Sequence, residues 1–121
     1  KGDDLAQTVT PEAESYATPV VLTHEPLHGG KLPPNKCFLS VDSPSVVWST
    51  WKPAEKGPGS VLRFYNPAGA KQKIQVELAE PFKMVSCCDL KEEPVQDSKL
   101  QGERQETISL GKYEIKSLRL K

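Results

Sequence analysis

The chain has 121 residues, enough for one domain with or without a tail and too few for a large multidomain enzyme. Lys plus Arg number 16 and Asp plus Glu number 16, and this zero formal net charge removes the electrostatic basis for a nucleic-acid or anionic-membrane binder. Apolar residues make up 36% and charged residues 26%, which supports a compact but modest core, while 11 Pro and 8 Gly predict many turns.

No apolar run approaches the roughly 20 residues that span a bilayer, and no signal peptide is visible. The sequence starts at Lys1 and its one methionine is Met84, as expected of a processed or excised chain. The three cysteines, Cys37, Cys87 and Cys88, are a poor disulfide framework. Cys87 and Cys88 are adjacent, so on a strand they face opposite ways; reduced, packed thiols are the expectation. With no Asn-x-Ser/Thr sequon, this points to a cytoplasmic or bacterial source.

Residues 1–15 are polar and carry Asp3, Asp4, Glu12 and Glu14, and read as a linker or tail. Residues 16–121 read as one β-domain. Tyr16 to Thr23, with its β-branched run, is predicted as a first strand, followed by a long loop rich in Pro and Gly. Cys37 to Val41 is a second strand, closed by an Asp42-Ser43-Pro44 turn. Ser45 to Lys52 is a third, with apolar residues on both faces, which implies burial on both sides or a bulge. Pro53 to Gly59 is loop chemistry. Ser60 to Asn66 is a fourth strand, and Asn66-Pro67-Ala68-Gly69 suits a type I turn.

Lys71 to Ala79 alternates cleanly, with Ile74, Val76 and Leu78 on one face, and is predicted to form a hairpin with the fourth strand. Phe82 to Leu90 is a sixth strand, and Lys91 to Arg104 reads as polar loop. Glu106 to Leu110 and Tyr113 to Leu120 are predicted as a last hairpin about a II′ turn at Gly111-Lys112, with a bulge or change of neighbour near Ser117. Eight short strands at regular turn spacing, without a helical apolar stripe, give an all-β fold: an antiparallel β-sandwich of seven or eight strands.

His24-Glu25-Pro26-Leu27-His28 matches H-E-x-x-H, a zinc-protease pattern that works only on a helix, where both imidazoles share a face. Here a β-rich run leads into it, Pro26 disfavours a helical Glu25, and Gly29-Gly30 would end any helix. A loop is the expectation, and a small zinc hydrolase is kept only as the last alternative. Nothing places Cys37 beside His24 or His28 as a catalytic dyad. Glu92 and Glu93 are adjacent and cannot flank a glycosidic bond as separate carboxylates must. Trp48 and Trp51 point to opposite faces on a regular strand; core packing is their expected fate, with an exposed indole stacking on sugar as the alternative. No catalytic, cofactor-binding or metal-binding residue is assigned within the chain.

The run Cys37 to Gly69, with Val46-Val47, Lys52-Pro53-Ala54-Glu55 and Leu62-Arg63-Phe64-Tyr65-Asn66, resembles the C-terminal region of glycoside hydrolase family 38, the α-mannosidases. Cys88-Asp89-Leu90-Lys91-Glu92 and the closing Gly111 to Leu120 are similar to further family segments, although Lys112-Tyr113 stand where the family has proline-phenylalanine. The resemblance covers residues 16–121 and is nearest the cytosolic and bacterial type. It implies a large retaining enzyme acting on terminal α-mannosides, with its aspartates and zinc in an N-terminal domain outside this chain. Nothing in it maps zinc ligands onto His24 and His28. The chain would be a non-catalytic β-domain that braces the catalytic and central domains of its own polypeptide, with no nucleic-acid or membrane partner. Arg63 is expected to make a packed, hydrogen-bonded contact. The alternative is a free carbohydrate-binding module that uses an exposed Trp51 or Tyr65.

Overall fold

A computed structural model describes residues 8–43, 45–100 and 102–121, with backbone alone at residues 97–99. Its regular structure is a short helix, α1 (Thr10–Ala17), and eight strands: β1 (Leu39–Val41), β2 (Val47–Pro53), β3 (Ser60–Tyr65), β4 (Gln72–Leu78), β5 (Met84–Cys88), β6 (Pro94–Lys99), β7 (Gln105–Leu110) and β8 (Ile115–Leu120). All pairings are antiparallel. One sheet has the order β1-β4-β7 and the other β2-β3-β8-β5-β6. The predicted β-sandwich is therefore the observed architecture.

The core lies between the sheets. From the larger come Leu62, Phe64, Leu118, Leu120 and Met84; from the smaller, Ile74, Val76, Leu78, Ile108 and Leu110. The clean alternation of β4 is realised, with Gln75 and Glu77 exposed. The middle of the larger sheet is also covered on its outer side: Val61, Ser117 and Cys88 are buried, though they alternate with core residues. The two-faced apolar pattern of β2 has a bulge as its cause, because the register against β3 shifts between Trp48 and Thr50.

Five expectations are corrected. Tyr16 to Thr23 is not a strand: α1 ends at Ala17 and irregular chain follows to residue 38, with Val20 and Leu22 almost fully exposed. Thr10-Pro11-Glu12 carries the helix signal, with Pro in the first turn and an acid beside the positive end of the helix dipole. Residues 91–104 are not all loop, since β6 pairs with β5. This strand is polar and opens on proline because it is an edge, where both are tolerated. β4 does not pair with β3 but crosses to the other sheet, between β1 and β7.

β7 and β8 are likewise not a hairpin; they lie in different sheets. Their link is a turn in which Glu114 N–H donates to the Gly111 carbonyl (3.3 Å), with Tyr113 at φ 56°. Nor is β8 irregular near Ser117: its register with β3 runs unbroken from Ile115 to Leu120, and Ile115 is simply on the outer face. The irregularity belongs to β5, between Met84 and Ser86. Residues 1–7 of the polar lead-in, and Pro44 of the predicted turn, lie outside the described residues.

Candidate functional site

The outer face of the larger sheet carries a closed set of charges. It begins with the β5–β6 turn, where Asp89 Oδ1 accepts from the N–H groups of Lys91 (2.8 Å) and Glu93 (2.9 Å). This Asx-type cap shapes the turn and leaves Glu92 in the left-handed region at φ 65°. The Glu92 side chain, 4% exposed, is thereby driven under the β2–β3 loop. Lys52 Nζ lies 2.6 Å from its Oε1 as an ion pair, and the Glu55 N–H donates to its Oε2 at 2.8 Å. Lys52 also bonds Glu55 (2.9 Å).

Arg119, on β8, places Nη1 3.9 Å from Glu92 Oε2, while its Nη2 donates to the carbonyls of Lys56 (2.6 Å) and Pro58 (2.8 Å). One row in from Arg119, Arg63 Nε donates to the buried Ser117 Oγ at 3.0 Å, which is the packed contact expected of that arginine. The set clasps two loops and three strands together.

A second set sits at one end of the sandwich, around the fully buried Asn66. Its Nδ2 donates to the carbonyls of Ala70 (2.8 Å) and Gly111 (2.7 Å), and its Oδ1 accepts from Ala68 N–H (3.0 Å). Its own N–H donates to the Glu114 carbonyl at 2.9 Å, and Tyr113 N–H donates to the Ala68 carbonyl at 3.2 Å. Asn66 thus ties the two links that cross between sheets, residues 66–71 and 111–114. What reads in sequence as a hairpin turn is this corner.

The segments that carry the family resemblance converge on these two places. Lys52 and Glu55 meet Glu92; Arg63 and Asn66 serve the sheet and the corner. The glycosyl hydrolases family 38 C-terminal beta sandwich domain matches residues 45–118, more than half of the chain. The chain belongs to this family. No curated protein and no solved structure matches it.

The remaining candidates fall elsewhere, and His24, His28 and Cys37 lie outside the matched residues 45–118. His24 and His28 stand on exposed, irregular chain, with His28 Nδ1 3.4 Å from the Gly29 carbonyl oxygen, so these residues do not fit a zinc site. Among the described residues, no group of three or more His, Cys, Asp or Glu side chains is placed to hold a metal. Cys37 is exposed, against the expectation of three packed thiols, and its Sγ donates to the Leu39 carbonyl at 2.9 Å. Cys87 faces the core and Cys88 the outer layer, as their adjacency requires. Burial pushes both thiols up, away from the reactive thiolate.

Glu92 and Glu93 do not act as a pair, since Glu92 is committed to Lys52. Trp51 packs edge-on against Phe82 at 4.7 Å and donates Nε1–H to Ser60 Oγ at 2.9 Å. Tyr65 is half-buried. The exposed indole is Trp48, at 54%. Sequence reasoning did not single it out because the bulge after Trp48 breaks the alternation from which exposure is read. Arg119 and Ser117 were also missed; their signal is the polar alternation against Leu118 and Leu120.

The clasp makes a pH prediction. The bond from Lys52, then that from the Glu55 N–H, hold Glu92 below the ordinary value of 4.5. Glu92 and Glu55 hold Lys52 above 10.5. The Glu92 contribution is present above 4.5 and is lost as pH falls through its lowered folded value; that of Lys52 is present below 10.5 and lost as pH rises past its raised one. Glu92→Gln should therefore melt below the parent at neutral pH, with the gap closing as pH falls below 4.5. Thermal melts from about pH 3 to about pH 8 read this directly. A gap that does not change with pH would mean the clasp holds by packing, not charge.

Proposed function

We propose that this domain is a non-catalytic brace of a family 38 α-mannosidase. It packs against the catalytic and central domains of the same polypeptide and holds them in shape. The enzyme's zinc and its retaining hydrolysis of terminal α-mannosides belong to a catalytic domain outside residues 1–121, in a cytoplasmic enzyme. The observation that carries this reading is the family match across residues 45–118, from just before β2 into β8. Two features support it. The charged residues of the outer face and the buried Asn66 are spent on one another and on the backbone, as suits a rigid element. The chain between α1 and β1 exposes Val20, Val21, Leu22 and Leu27, apolar surface that a neighbouring domain can cover.

The test uses the intact polypeptide and p-nitrophenyl α-mannoside. Asn66→Ala should shorten the thermal half-life of activity several-fold while leaving kcat/KM of the folded enzyme unchanged. A fall in kcat/KM with an unchanged half-life would place the domain at the substrate instead. An intact polypeptide without α-mannosidase activity would end the proposal.

A further inference from the structure

A cleft of about 390 Å³ separates α1 from the start of β2. That volume lies in the range of small-ligand sites, roughly 300–1,000 Å³. Its two walls differ in chemistry. One is apolar, formed by Val46, Val47 and the half-exposed indole of Trp48. The other, from α1, is more mixed, with Thr10, Glu14 and Thr18 at helical spacing, Ser15 beside them and Pro11 among them. A helix that docks by packing turns an apolar stripe to its sheet; here the facing stripe carries hydroxyls and a carboxylate, and no residue of α1 is buried. The space between the walls is left open.

We propose that this cleft is a carbohydrate-binding site for a neutral pyranose. A pyranose has the same two-sided character, with C–H groups on its faces and hydroxyls around its rim. Its C–H face lies on Trp48, and its hydroxyls donate to the Glu14 carboxylate and exchange hydrogen bonds with Ser15 and Thr10. Thr18 contributes less, because its hydroxyl already donates to the Glu14 carbonyl at 2.7 Å. An anionic ligand would meet Glu14, and a wholly apolar one would strip water from that carboxylate without replacing it. The inference stands apart from the bracing role and concerns a different face of the domain.

Saturation-transfer NMR on the full chain tests it, with methyl α-D-mannopyranoside, methyl α-D-glucopyranoside and methyl β-D-galactopyranoside as probes and myo-inositol as a polyol control. At least one pyranoside should receive saturation at its C–H protons, with an apparent Kd of about 1–10 mM. Trp48→Ala should weaken this at least about tenfold, and Glu14→Gln about threefold. Glu14 is on an exposed helix face, so its variant reports on binding even if Trp48→Ala shifts the helix. No transfer to any pyranoside at about 20 mM, equal transfer to myo-inositol, or transfer unchanged in both variants would overturn the assignment.

Discussion

Asn66→Ala is expected to destabilise the domain by about 3 kcal/mol, lowering its melting temperature by roughly 10 °C. The truncation removes one bond from the carbonyl of Ala70, leaves the Gly111 carbonyl only the 3.3 Å bond from Glu114 N–H, and strands the N–H of the buried Ala68, around a side chain with no exposed surface. The amide can sit only one way round, because both neighbours of its nitrogen are acceptors and the neighbour of its oxygen is a donor. Asn66→Asp is therefore no rescue: it keeps the bond from Ala68 but sets a carboxylate oxygen against two carbonyls. Calorimetric melts of the two variants check this. A loss under about 2 °C for Asn66→Ala would show that the corner is held by its strands rather than by this side chain.

Gly59→Ala should be comparably damaging, at about 3 kcal/mol. Gly59 ends the β2–β3 loop at φ 100°, where a side chain is strained, and an added Cβ would sit 2.1 Å from the Leu120 carbonyl oxygen. The backbone must move, and the loop that moves presents the Lys56 and Pro58 carbonyls to Arg119. Two further substitutions separate strain from overlap. Gly57, at φ 72°, would meet only the Arg119 Nη2 at 3.6 Å, so Gly57→Ala should cost about 1 kcal/mol. Gly30 has nothing within 4 Å, and Gly30→Ala should be silent. Urea denaturation of the three variants should give that order; equal losses at Gly57 and Gly59 would refute the overlap argument.

The sandwich was legible because its core strands obey period two with large apolar residues. Ile74, Val76 and Leu78 declare themselves without help, as do Leu62 and Phe64. What was not legible was partnership. The eye pairs β3 with β4 and β7 with β8 because each pair is joined by a short link with turn residues. Here each link crosses to the other sheet, and Asn66 ties the two links together through Ala70 and Gly111. The edge strand β6 and the helix α1 escaped for a common reason, since neither carries in its sequence a regular apolar face from which a period could be read.

At the candidate site, Arg63 could be foreseen from its alternation with Leu62 and Phe64. The meeting of Lys52 with Glu92 could not, because 40 residues separate them and only the cap made by Asp89 turns Glu92 inward. Exposure was misplaced from Trp48 to Trp51 by a single bulge residue.

The position of β8 has a consequence for biosynthesis. It comes after every other described strand of the sandwich, yet it lies at the centre of its sheet, between β3 and β5. While residues 115–120 are still unmade or inside the ribosome, the hairpins β2–β3 and β5–β6 are two separate ribbons with nothing to join them. The larger sheet can therefore be completed only once β8 is made, and until then its inner face is not closed over. Through that interval this face must be kept from other chains, for example by a chaperone.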